Sequence, residues 1–579
     1  VKRYTNQAIA DILYEMASLY EMLDVAFKPA AYEKAAQNIE THAEEIAALY
    51  RTTGLKALDD IPGVGSGIAR HIRDLLETGH FPEYDELKKK IPVRINELTA
   101  IEGVGPKTVR RLWKELGIRN LNDLEKAARK GRIRELEGFG NKSEERILRG
   151  IEFVKSASGR FVLGFVLPDL ISLEKTIGNF PEVDRVMLAG SVRRRRETVG
   201  DVDILVTSKQ PGKVMKRFLR LPDIAHVYGK GRKKTNVRLT SNMDADLRIV
   251  PTKSWGAALC YFTGSKAHNI ALRNIAIKKG WKLNEYGLYR DTKQLAGRTE
   301  KGIYRKLGLD YIEPELREDH GEIEAAQQGK LPKVIGYDDL KGDLQTQSNW
   351  TDGRHSIREL ALAAEDKGLE YIVITDHTKS LRVANGLDEK GLARQGKEIE
   401  KLNRQLQKEG HGITVLKGAE VNIGKDGGVD IDDRTLKQID VVGAAIHDNF
   451  DLSENEQTRR IVRAMENPHV DIIFHLTTRL INRRRPIRLD LDTVLDTARE
   501  TGTVMEIDAY PDRLDIYDEI VRRCKDMGIG MSIDSDAHAV THFEYLQYGI
   551  AQARRGWAEK EDIINCRPLK KMLSCLKNG

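Results

Sequence analysis

The sequence predicts a multidomain chain of mixed α+β and α/β class, and three observations predict it. A glycine-rich motif recurs in the first 150 residues, as IPGVGSGIAR at 61, IEGVGPKTVR at 101 and LEGFGNKSEERI at 136. From about 160 to 260, runs such as VDRVMLAGSV, VGDVDILVTS and DADLRIV are apolar, β-branched and bounded by glycine or polar residues, as strands are. After 335, strand-like runs (YIVITDH, ITVLKGAEV, IDVVGAAIHD, VDIIFHL, TVMEID, GIGMSIDSDAH) alternate with helical stretches such as IRELALAAEDKG. That alternation is the pattern of an α/β barrel. A chain of 579 residues exceeds one compact core.

Taken in order, residues 1–85 and 86–155 read as two helical units. Each motif copy is an aliphatic residue, a glycine-x-glycine turn and a helix-forming run, a repeated module. Residues 156–259 form a mixed sheet, and 260–318 a helical and mixed unit. Residues 319–335 are polar and aperiodic and read as a linker, and 336–579 form a distorted (β/α)7-like barrel. Charged residues make up 32% of the chain, which predicts an ion-pair-rich surface; the net charge of +7 is too mild to establish nucleic-acid binding, so local clusters must carry that argument. Cys260, Cys524, Cys566 and Cys575 form no CxxC pair, which points to a reducing compartment without a cysteine zinc site. With no signal-peptide pattern and no apolar run near eighteen residues, the expectation is a cytoplasmic protein without membrane partners.

The segment GSVRRRRETVGDVDILV, residues 190–206, sets four arginines beside two carboxylates. Asp201 and Asp203 lie two apart on a strand and project to one face. Carboxylates that close repel unless a cation lies between them, and hard oxygen ligands favour Mg²⁺ or Mn²⁺. Asp246, in DADLRIV, is a third acid on what should be a neighbouring strand, with Asp244 a weaker candidate on the same face. Three carboxylates suit two metal ions and in-line phosphoryl transfer. Ser191, the arginines and the N–H groups at Gly190 and Ser191 would cradle a triphosphate.

This segment resembles the nucleotidyltransferase signature of family X DNA polymerases, the polymerase beta group, and the resemblance continues through DLRIVP at 246 and YFTGSKAHNIALRNIAIKKGWKLNEYGL at 261. It implies that 1–85 is an 8-kDa-like domain, 86–155 a fingers-like DNA-binding domain, 156–259 the palm and 260–318 the thumb. It implies Asp201, Asp203 and Asp246 as catalytic metal ligands, with Asp246 helping to deprotonate the primer 3′-hydroxyl. Ser191, Arg194 and Gly200 match triphosphate-binding positions. Tyr261, Phe262 and Gly264 match the segment beside the incoming sugar, and Asn269 and Arg273 the minor-groove side of the nascent pair. The glycine turns resemble helix-hairpin-helix motifs, in which Gly63, Gly65, Gly103 and Gly105 present backbone N–H groups to a phosphate. Ile61, Val64, Thr99, Ile101 and Val104 match positions where carbonyls hold a monovalent cation. The place of the family's lyase lysine holds His71, and Gly67 stands at a nearby basic position, so no lyase by that route is expected. Lys88, Lys89 and Lys90 read as a solvated helix end.

The barrel resembles a PHP domain through GDLQTQSNWTDG, ITDHTK, GAEVNI, AAIHDNF, IIFHLTTRL and SDAHA. That resemblance implies a metal centre, with Mn²⁺ or Zn²⁺, supporting 3′-5′ exonuclease and in some members abasic-site endonuclease activity. Asp352, His377, Glu420, His447, His475, Asp536 and His538 stand at ligand positions. The opening HxH is replaced by Gln345 and Gln347, Asn422 replaces a frequent acid, and FHLTT replaces the usual GHPTG. The metal those histidines would share with Glu420 and Asp536 is expected to be weak or absent. Three readings of the barrel follow: an impaired nuclease, a nuclease with fewer metals, or an organising scaffold. The whole reads as a monomeric gap-filling repair polymerase acting on gapped or primer-template DNA with dNTPs. The rivals are a template-independent or RNA nucleotidyltransferase and a DNA-end-binding scaffold.

Overall fold

The structure is a computed structural model that describes residues 4, 6–40, 42, 45–61, 63–101, 103–157 and 159–577. The N-terminal part is helical, from the helix Asn6–Met22 to the helix Asn141–Ala157. The two helical units share one apolar core running from Ile9 to Ile151, because the helix Asn6–Met22 packs on Pro106–Leu116 across the boundary expected at 85. All three motif copies make the same turn. Val64 N–H donates to Ile61 O, Val104 N–H to Ile101 O (both 3.0 Å) and Phe139 N–H to Leu136 O (3.0 Å). Gly63, Gly103 and Gly138 sit at φ of +76°, +78° and +77°, a left-handed conformation that favours glycine.

The palm begins with a short antiparallel pair, β1 (Phe161–Val162) and β3 (Thr198–Val199). Its sheet contains β2 (Arg185–Leu188), β4 (Asp201–Thr207), β5 (Ile224–Lys230), β6 (Lys234–Leu239) and β7 (Asp244–Val250), in the order β2-β4-β7-β6-β5. Strands β4 and β7 are parallel and the other pairs antiparallel, a mixed sheet. Val202, Ile204 and Val206 bury one face of β4, which leaves Asp201 and Asp203 on the other. The thumb carries the helices Trp255–Thr263, Lys266–Lys278 and Glu300–Leu307 with a small sheet, β8 (Lys282–Asn284), β9 (Gly287–Arg290) and β10 (Lys293–Ala296).

Residues 319–335 are not a free linker. They include a helix, Glu322–Gln328, whose Ile323 and Ala326 join the thumb core. Glu322 is fully buried against His268 Nδ1 at 2.6 Å and accepts N–H groups from Asp319 and His320. Pattern reading misses this segment because its anchor is a carboxylate, which hydrophobic periodicity counts as exposed.

The C-terminal barrel has seven parallel strands in chain order: β11 (Gly342–Thr346), β12 (Tyr371–Ile374), β13 (Thr414–Asn422), β14 (Val441–Ala445), β15 (Ile472–Ile473), β16 (Val504–Asp508) and β17 (Met531–Asp534). A bridge from Thr346 to Ala537 nearly closes it. Two buried acids stitch the seam: Asp534 accepts Leu344 N–H, and Asp343 accepts both N–H and Oγ–H of Ser535. The barrel is fused to the preceding domains. Ile481, Leu514 and Tyr548 belong to the palm core, and Trp557 belongs to the thumb core.

Candidate active site and barrel metal centre

Register decides the palm geometry. Asp203 is directly opposite Asp246 across the parallel β4–β7 pair, and Asp201 is opposite Asp244. Burial raises the Asp203 carboxyl to about 6, with Asp201 and Asp246 adding repulsion. Asp246 accepts hydrogen bonds from the Asn236 side-chain amide and from Arg248 at 3.1 Å, which orients it along the sheet. Gly190, at φ +62°, lies so close to Asp203 that a Cβ there would be 2.9 Å from a carboxylate oxygen.

A cavity of about 620 Å³ beside these acids is lined by Ser191, Arg194, Gly200 and Asp201, together with Arg160, Arg196 and Asp244. The four arginines do not act as one cradle. Arg193 donates to Glu300 at 2.6 and 2.9 Å and to Thr263 Oγ1 at 2.6 Å, tying palm to thumb. Arg195 lies over the Tyr337 ring at 5.9 Å. Arg194 and Arg196 alone of the four line the cavity; Arg194 is braced by Glu318 at 2.9 Å and by the Thr263 carbonyl. Each guanidinium follows the acid or ring nearest it in space, and a run of identical residues does not reveal that. In the thumb, Tyr261, Asn269 and Arg273 line a common recess, where Asn269 donates to Tyr261 O at 2.7 Å. Phe262 lies under the Arg248 guanidinium, 4.6 Å from ring centre, and Gly264 (φ +71°) packs against Arg194.

At the hairpins, the side chains of Ile61, Val64, Ile101 and Val104 are buried in the core, so only their backbone groups face outward chemistry. Thr99, Ile101, Gly103, Val104 and Gly105 line a cleft of about 890 Å³ whose far wall is the barrel loop at Arg483 and Arg484. His71 stacks on Phe81 at 4.7 Å and pairs with Glu83 at 3.0 Å, a packed side chain rather than an amine nucleophile. Lys88 is not simply solvated: it pairs with the buried Glu15.

In the barrel, strand ends bring two groups together: Asp352, His377 and His538, and His377, Glu420 and His447. Glu420 is the hub. Its Oε1 is 3.0 Å from His447 Nε2 and 3.1 Å from His475 Nε2, and its Oε2 is 3.3 Å from His377 Nδ1. Burial alone would raise it, but His377, His447 and His475 hold its carboxyl well below the ordinary range. Burial, then the Arg513 charge, takes His475 down to about 4, so it is neutral at neutral pH. Asn422, standing where the family often has an acid, accepts from His447 Nδ1–H through its Oδ1 at 2.7 Å and so turns Nε2 toward Glu420. Asp536 joins neither group; its Oδ2 lies 3.9 Å from Arg513 Nε and its Oδ1 3.8 Å from His538 Nδ1.

Comparison with known proteins gives the family. Residues 258–318 match the model of the DNA polymerase beta thumb, 4–81 a helix-hairpin-helix domain and 95–152 a SAM-like helix-hairpin-helix tandem. Over 573 residues, 98% of each chain, the sequence is 35% identical to the DNA polymerase/3′-5′ exonuclease PolX of Bacillus subtilis. The chain belongs to the family X DNA polymerases. The polymerase is also 25% identical to rat DNA polymerase lambda over 343 residues, 54% of this chain and 56% of that one. It is also 32% identical to a probable phosphatase of Thermoanaerobacter over 212 residues, 34% of this chain and 80% of that one. It is therefore a DNA-directed DNA polymerase with DNA-binding hairpins and a PHP-type barrel, and among the described residues no helix is long and apolar enough to cross a membrane.

The donors present decide which metals fit the polymerase. In the palm, a carboxylate pushed up by burial and then by its acidic neighbours is a site that a divalent ion would stabilise. The two barrel groups offer imidazole and carboxylate, suited to a transition metal. The position framed by Gln345 and Gln347 does not fit: both amide Nε2 groups donate to Glu420 Oε2, at 3.3 and 2.9 Å. Sequence pattern does not single out Arg160, which lines the palm cavity, or Arg513, which faces Asp536. The run Arg483, Arg484, Arg485 does carry a signal, the same charge pattern used at 193–196.

Because Asp203 keeps a proton up to about pH 6, metal binding below that pH must displace it. The Mg²⁺ concentration giving half-maximal primer extension is expected to stay flat above about pH 7 and to rise by up to ~10-fold per unit below pH 6. A Mg²⁺ titration across pH checks this, and a flat profile down to about pH 5 would count against it.

Proposed function

We propose that the chain fills short gaps in DNA during repair, as a monomer, adding dNTPs to a primer end. Asp201, Asp203 and Asp246 hold Mg²⁺ or Mn²⁺, which supplies charge to lower the pKa of the 3′-hydroxyl and to carry the leaving phosphates. Ser191, Arg194, Arg196 and Gly200 receive the triphosphate. Tyr261, Phe262 and Gly264 flank its sugar, and Asn269 and Arg273 contact the nascent pair. The hairpin turns at 61–65 and 101–105 grip backbone phosphates on either side of the gap, through N–H groups and a monovalent cation. The observation that carries the reading is the in-register Asp203–Asp246 pair beside an arginine-lined cavity. Extension of a primer across a short gap, with and without template, tests it. Template-independent addition at equal rate would favour the rival transferase.

The barrel is proposed to be an impaired 3′-5′ exonuclease, since glutamines occupy the opening ligand positions. With 3′-labelled DNA and Mn²⁺, label release is expected at background, unchanged by His447→Ala. A second reading, a working 3′-5′ exonuclease or abasic-site endonuclease with fewer metals, is favoured by the two intact ligand groups and by the B. subtilis relative's name. Release lost in His447→Ala but kept in Asp203→Ala would establish that reading instead.

A further inference from the structure

The loop after β16 carries Arg513 into the barrel centre. Its backbone is held by a bridge between Asp508 and Asp515, by Asp508 N–H donating to Asp515 O at 2.7 Å and by Arg513 N–H donating to Tyr510 O at 2.9 Å. The Arg513 carbonyl accepts from Arg479 Nε at 2.8 Å. The loop therefore presents the guanidinium from a fixed base. Its Nε lies 3.6 Å from Asp508 Oδ2 and 3.9 Å from Asp536 Oδ2, and its side chain is only 21% exposed.

Asp536 is the acid that would complete a metal compartment with Glu420 and the two residues opening the barrel. Here those two residues are Gln345 and Gln347, which turn amide donors toward Glu420, while their carbonyl oxygens are buried without partners. Asp508 Oδ2 and Asp536 Oδ1 also lack hydrogen-bond partners. This side of the centre thus has acids facing an arginine and amides facing an acid. The opposite side keeps imidazole and carboxylate groups that converge within ligand distance of one another. A guanidinium is always charged and cannot be displaced by dialysis or chelation. A divalent ion placed beside it would meet a like charge in a poorly solvated pocket.

We propose that Arg513 is a built-in cation that takes the place of one divalent ion in the barrel, neutralising Asp508 and Asp536, so that metal enters only at the two histidine-containing groups. The proposal rests on the barrel reading above only in taking Glu420 and Asp536 as metal-centre acids. It adds which compartment is closed and what closes it. His377 belongs to both remaining groups, offering Nε2 toward Asp352 and Nδ1 toward Glu420. Among the described residues there are two such groups, so on this proposal the barrel takes at most two ions, one per group.

The test is the metal content of the full chain, with Asp203→Asn in every sample to remove the palm contribution. After equilibrium dialysis against micromolar Mn²⁺, bound metal is counted by mass spectrometry. The chain with Arg513 is expected to hold no more than two ions. Arg513→Gln, which frees Asp508 and Asp536, is expected to gain one more, and Arg513→Lys to gain none. A third ion bound while Arg513 is intact would overturn the proposal, as would an unchanged count in a folded Arg513→Gln chain. If Arg513→Gln does not fold, as judged by near-UV circular dichroism, the pair Gln345→His and Gln347→His with Arg513 retained decides. An unchanged count supports the fixed cation and an added ion refutes it. Primer extension by the same variants with Asp203 restored tests the polymerase reading separately.

Discussion

Asp203→Asn is expected to lower template-directed primer extension by on the order of 10³-fold or more. The amide matches the carboxylate in size, so the close approach to Gly190 is preserved. What goes is the charge that, with Asp246 directly across the β4–β7 pair, would draw metal to the sheet edge. The same substitution is expected to leave the metal-free fold as stable or to stabilise it. Asp203 is raised from 3.8 to about 6 by burial and by its neighbours, so above pH 6 the folded chain carries a charge it disfavours. For an acid whose folded pKa is raised, the penalty is present above the folded value and is relieved as pH falls through about 6 toward 4. The shift corresponds to ~1–3 kcal/mol. Chemical denaturation without metal should therefore show stability rising between pH 7 and 5 in the natural chain, with that rise reduced in Asp203→Asn. Extension within a few-fold of the natural chain would remove Asp203 from the chemistry.

Arg317→Ala is expected to cost about 3–5 kcal/mol, because it strands a buried charge. Arg317 is fully buried, donates to Glu300 at 2.6 Å and to Ile312 O at 3.0 and 2.9 Å, and lies over the rings of Tyr304 and Tyr311. Glu300 also accepts from Arg193, which joins the thumb to the turn beside the nucleotide cavity. Burial would raise Glu300, yet Arg317 and Arg193 bring it down to about 2. Its contribution is thus complete above the unfolded value near 4.5 and is lost as pH falls toward 2. Unfolding followed by denaturant titration should show the loss, and the double change Arg317→Met with Glu300→Gln should cost less than Arg317→Ala alone. A loss below about 1 kcal/mol in Arg317→Ala would show that this network is solvated.

The paired palm acids and the hairpins were legible because local rules govern them. Strand alternation sends Asp201 and Asp203 to one face, and a left-handed turn needs glycine at 63 and 103. The barrel histidines and acids were legible because they stand at strand ends, and the Gln345 and Gln347 departures were visible as residue types. The roles of Arg193 to Arg196 were not legible. Four identical side chains in a row read as one patch, whereas Glu300, Glu318 and Tyr337 divide them. The segment 319–335 was missed for a related reason: Glu322 is buried only because His268 is there to meet it.

By itself, then, the sequence determined the family, the mixed architecture, the three palm acids and the repeated glycine turns, since each depends on neighbours a few residues away. Only the tertiary structure decided that palm, thumb and barrel share cores through Ile481, Leu514, Tyr548 and Trp557, and that Asp536 faces Arg513 rather than joining the histidine groups. Those outcomes depend on which charge or apolar surface arrives from a distant segment, and burial and Coulomb attraction act on distance in space rather than on separation along the chain.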